Sequence, residues 1–83
     1  MPKPDKILDR MRHNPGDWRI EDLKSAARRA DVDWRQPGTS HVTFSYPGLI
    51  PLSVPAHRPV KPYYVKRFVE LIDTVRARDD ERN

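Results

Sequence analysis

Residues 32–54 read VDWRQPGTSHVTFSYPGLIPLSV, and the fold turns on their rhythm. Apolar residues recur at every second position: Val32 and Trp34, then Val42, Phe44 and Tyr46, then Ile50, Leu52 and Val54. A period of two places such residues on one face of a strand. The segments PGTS at 37–40 and PG at 47–48 are turn sequences, so three short strands follow one another with tight connections. That arrangement predicts an antiparallel meander. Pro51 cannot donate a ladder hydrogen bond, which assigns the third strand to an edge or a bulge. Between the apolar positions fall Asp33, Arg35, His41, Thr43 and Ser45, all on the opposite face.

On either side of this stretch the period changes to that of a helix. In 4–18, Ile7, Leu8 and Met11 share one side, Asp5 suits the first turn, and Asn14–Pro15–Gly16 ends the segment. In 19–31, Ile20, Leu23, Ala27 and Ala30 form the apolar stripe. Glu21 and Asp22 near its start and Arg28 and Arg29 near its end suit the helix dipole, and Trp18 packs at its beginning. After a proline-rich loop, Pro62 opens a last helix over 62–80. Its stripe is Tyr64, Val65, Phe68, Leu71, Ile72 and Val75, and the charged tail after it is expected to fray. The order α-α-β-β-β-α in one domain, 1–83, predicts an α+β sandwich: a three-stranded antiparallel sheet with helices on one face and nothing left to cover the other.

An 83-residue chain supports only a thin core. It has no cysteine, so neither disulfides nor thiolate metal sites reinforce it, and this agrees with a cytoplasmic setting. No apolar run approaches the ~20 residues of a membrane helix, and the first residues lack the apolar stretch of a signal peptide. Sixteen Lys and Arg against twelve Asp and Glu give a net charge of +4. Such an excess suits a polyanion, and equally an acidic protein partner.

The uncovered face carries the candidate chemistry. Imidazole, with an ordinary pKa of about 6.5, takes and gives protons near neutrality. RNA brings its own nucleophile, the 2′-hydroxyl, so its cleavage needs a base, a proton donor and charge stabilisation rather than a metal. His41 would supply the proton transfer, with Arg35, Arg58, Lys61 and Lys66 as nearby cations. His57 belongs to the loop after the third strand, and His13 sits at a helix end, where a cation suits the dipole. Three dispersed histidines without HExxH or DxD spacing predict no metal site, and three glycines form no phosphate loop. Ser40 beside His41 is no triad, since neighbouring strand residues point apart.

Three short signatures stand in order: Gly38–Thr39–Ser40–His41, Leu52–Ser53–Val54–Pro55–Ala56–His57, and Lys61–Pro62. In this order and spacing the second half of the chain resembles the HicA family of bacterial toxins. The resemblance implies a double-stranded-RNA-binding-domain-like fold and an endoribonuclease that cleaves mRNA without metal or other cofactor. It also implies a cognate HicB-type antitoxin as partner. The family's catalytic histidine falls on His41, and His57 carries over as a site-adjacent or phosphate-contacting residue. By their places in the predicted topology, Arg35, Ser40, Thr43, Arg58, Lys61 and Lys66 are the further residues expected to contact RNA. Some members carry a second histidine directly after the first, where this chain has Val42. A non-catalytic RNA-binding module, or a protein-interaction module using the same open face, remains the alternative.

Overall fold

In the computed structural model the described residues are 6–36, 38 and 40–82, the last four by backbone alone. Three helices, α1 (Lys6–His13), α2 (Ile20–Arg29) and α3 (Pro62–Arg82), join three strands, β1 (Asp33–Arg35), β2 (His41–Ser45) and β3 (Leu52–Pro55). The molecule is an α+β fold whose sheet has the antiparallel order β1-β2-β3.

The helix boundaries follow local chemistry. Asp22 reaches back to accept a hydrogen bond from the Arg19 backbone N–H at 3.0 Å, satisfying a donor at the start of α2. At its other end Asp31 adopts a left-handed φ of 59°. The Val32 N–H then bonds the Ala27 carbonyl at 2.8 Å and the Asp31 N–H bonds that of Arg28 at 3.3 Å. This pair of bonds ends a helix with a sharp reversal, and Val32 and Ala27 are buried together beneath it. The reversal delivers the chain directly into β1. α3 begins at Pro62, where a missing N–H costs nothing. Asp5 lies outside the described residues, as do Pro37 and Thr39 of the β1–β2 turn.

Two expectations need correction. The third strand starts at Leu52 rather than ahead of Pro51, and Ile50 is 88% exposed instead of joining Leu52 and Val54 on the inner face. The Leu49 N–H bonds the Tyr46 carbonyl at 3.0 Å, so Ile50 leaves a turn before pairing begins. The last helix, expected over 62–80, runs on as helix to Arg82.

The core lies between the sheet and the helices. Val42, Phe44 and Val54 from the sheet meet Leu8 and Met11 of α1, Leu23, Ala26 and Ala27 of α2, and Val65, Phe68, Val69, Ile72 and Val75 of α3. Phe44 and Phe68 pack edge to face with centroids 4.9 Å apart. Trp34, Leu52 and Tyr46 extend this layer, half-buried. Arg12 links α1 to α3 through Asp73 at 2.7 Å, an exposed ion pair of small energetic weight. Trp18, half-buried ahead of α2, donates its indole N–H to the Asn14 carbonyl at 2.6 Å.

The register also fixes what the sheet's rim presents. Ala56 N–H donates to the Ser40 carbonyl at 2.7 Å, so in the β2–β3 ladder residues 52, 54 and 56 bond inward. Residues 53 and 55, and Pro51 one step before the strand, therefore turn their backbone groups outward. Both prolines stand where no ladder donor is required, which is how β3 tolerates them.

Candidate functional site

The outer face of the sheet is a grid set by pairing. Directly opposed residues share a face, so His41 lies beside Pro55, Thr43 lies between Arg35 and Ser53, and Ser45 lies beside Asp33. Continuing the register by one residue brings Pro51 against Ser45. Successive rows are about 6.7 Å apart, two residues of strand rise. Asp33, Arg35, His41 and Ser53 are exposed, and Thr43, Ser45 and Pro55 are half-exposed. Among the described residues no helix covers this face, since α1, α2 and α3 pack on the other side of the sheet.

The middle row is organised by hydroxyls: Thr43 Oγ1 and Ser53 Oγ lie 3.1 Å apart and share a hydrogen bond. Each hydroxyl keeps further capacity for a ligand's oxygens. Arg35 completes the row, and its guanidinium makes no hydrogen bond or ion pair with the described residues. Asp33, Trp34, Arg35, Thr43, Ser45 and Pro51 line a shallow depression toward the far end of the face. His41 stands at the other end, exposed and at the beginning of β2.

The expected contact residues divide by place. Arg35, Thr43 and His41 share the outer face, as the alternation predicts. Ser40 is exposed at the mouth of β2, its carbonyl engaged by Ala56. His57 and Arg58 are exposed in the loop after β3, and Arg58 lines a separate depression with Asp17, Arg19 and Pro59. Lys61 is exposed just ahead of α3, where its carbonyl accepts from Tyr64 and Val65. Lys66 sits at the α1–α3 seam with Met11, Arg12 and Asp73, away from the outer face of the sheet. His13 Nδ1 donates to the Asp9 carbonyl at 2.7 Å within its own helix. Ser53 was not among the expected site residues, although its parity against Leu52 and Val54 was enough to find it.

Among the described residues no group of three His, Cys, Asp or Glu stands together as a metal site, and no helix is long and apolar enough to cross a membrane. No family model, curated protein or solved structure matches this chain.

Proposed function

We propose that this chain is a toxin of the HicA kind, a metal-independent endoribonuclease that cleaves mRNA in the cytoplasm and is neutralised by a HicB-type antitoxin. The observation that carries the proposal is the placement of His41, exposed on an uncovered sheet face in the same grid as Arg35 and the Thr43–Ser53 hydroxyl pair. The three signatures that resemble the family add to it, and the α-α-β-β-β-α order with one bare face suits a double-stranded-RNA-binding-domain-like fold.

On this reading His41 removes the proton of a 2′-hydroxyl as that oxygen attacks the adjacent phosphorus. The 5′-oxygen leaves and takes the proton back from the imidazolium, so the products are a 2′,3′-cyclic phosphate and a free 5′-hydroxyl. The Thr43 and Ser53 hydroxyls donate to phosphate oxygens, and Arg35 supplies positive charge on the same face. Proton transfer of this kind contributes about 10²–10⁴-fold to rate. Positioned donors add to it by holding the charge that develops in the transition state.

The test is cleavage of end-labelled RNA in excess EDTA by the partner-free protein, wild type beside His41→Ala. Cleavage by the wild type, reduced about 10²-fold or more in the variant with an unchanged circular dichroism spectrum, supports the proposal. Salt-sensitive RNA binding without cleavage by either protein would make the chain a binding module instead.

A further inference from the structure

The depression at the far end of the outer face is chemically unlike the His41 end. Asp33 and Arg35 are two residues apart on β1 and therefore share this face, with Ser45 and Thr43 opposite them on β2. Neither charged side chain makes a hydrogen bond or ion pair with a described residue, although they are of opposite sign and neighbours. A phosphate site would not place a carboxylate at its centre. A site for a base edge would, because an ionised carboxylate offers only acceptors and a guanidinium only donors.

We infer that Asp33 and Arg35 form a guanine-reading subsite on the outer face of the sheet. This inference rests on the reading of that face as an RNA site. Guanine's pairing edge presents N2–H and N1–H, both donors, and then the O6 acceptor. The two oxygens of Asp33 accept the N–H pair, and Arg35, next along the strand, donates to O6. No other common base satisfies both carboxylate oxygens: adenine and cytosine offer one amino donor beside an acceptor, and uracil one N–H between two carbonyls. The Ser45 hydroxyl and the Pro51 ring, continuing the Asp33 row, give the base a polar contact and a flat apolar surface. Unpaired bases in single-stranded RNA are read in this way, by hydrogen bonds along the pairing edge. His41 and the Asp33 row are about 13 Å apart, four residues of strand rise. A single nucleotide covers that span, with its phosphate at the histidine and its base in the depression.

The experiment uses fluorescein-labelled uridine decamers with one central guanosine, inosine or adenosine. Binding is measured by anisotropy with His41→Ala, which keeps the RNA intact, and with the double variant His41→Ala/Asp33→Asn. Inosine lacks only the N2 amino group, so it removes one of the two carboxylate bonds. The expected result is that guanosine binds at least about fivefold tighter than inosine or adenosine, the discrimination of a bidentate base contact. In the double variant that ratio should fall to near one. Equal affinities for guanosine and inosine, or a guanosine preference that survives Asp33→Asn, would overturn the subsite while leaving the ribonuclease proposal standing. Failure to bind any of the decamers would overturn both. Wild-type cleavage in EDTA, scored in parallel, reports on the ribonuclease reading by itself.

Discussion

Val42 and Phe44 on one side of β2, and His41 and Thr43 on the other, are neighbours in the chain but sit in different surroundings. The first pair is fully buried against helices; the second faces outward beside Arg35 and Ser53. The inner side is held by apolar contact with three helices, and any change of volume there is felt throughout the core. Among the described residues no helix lies on the outer side, and its residues are positioned by backbone pairing together with side-chain bonds such as that between Thr43 and Ser53. A short strand thus divides by parity: its even residues are buried in the core, and its odd residues set polar side chains on the outer face.

Substitutions on the two sides should separate these two sets of residues. The largest effect is expected for Phe44→Ala, which empties a fully buried site against Phe68 and should cost about 3–5 kcal/mol in a urea titration. For so small a domain that is most of its stability, and a cost under about 1 kcal/mol would mean the inner layer is not the core described here. Next is a matched exchange. Val42→Thr buries a hydroxyl and should cost about 1–3 kcal/mol. Its mirror, Thr43→Val, breaks only the half-exposed bond to Ser53 and should cost about 1 kcal/mol or less. Similar losses from the two would erase the distinction between the faces. His41→Ala should have the smallest effect on stability, within about 0.5 kcal/mol by thermal denaturation, as for an exposed residue outside the core. A large loss there would recast His41 as part of the fold's support.

Much of this could be read from residue periodicity. The alternation in β1 and β2 settled which residues face outward, and the apolar stripes, the Asn14–Pro15–Gly16 stop and the charge placement located α1 and α2 closely. Ile50 escaped that reading because alternation says nothing about where pairing starts, and the turn ahead of Pro51 delays it. The placement of Arg58 and Lys66 escaped it for another reason. The path of a proline-rich loop has no period, and a helix's polar side adjoins more than one neighbour, so the pattern marks Lys66 as wet without saying that it adjoins α1. Ser53 was legible and overlooked, since its parity follows from Leu52 and Val54. The Asp33–Arg35 pair was visible as two charges of one face, but only the pairing register sets Ser45 and Thr43 opposite them.

The outward turn of Pro51 and Pro55 has a consequence for how this molecule tolerates crowding. A bare sheet face ends in a bare rim, and a rim with alternating donors and acceptors is a template onto which further chains polymerise. Along β3 that template is incomplete: three carbonyls face out, but Ser53 alone among the three residues keeps an N–H to go with them. A second strand approaching this side would set its own carbonyls against proline rings and lose hydrogen bonds at every other step. The face stays open to a ligand while its β3 border resists fibril growth.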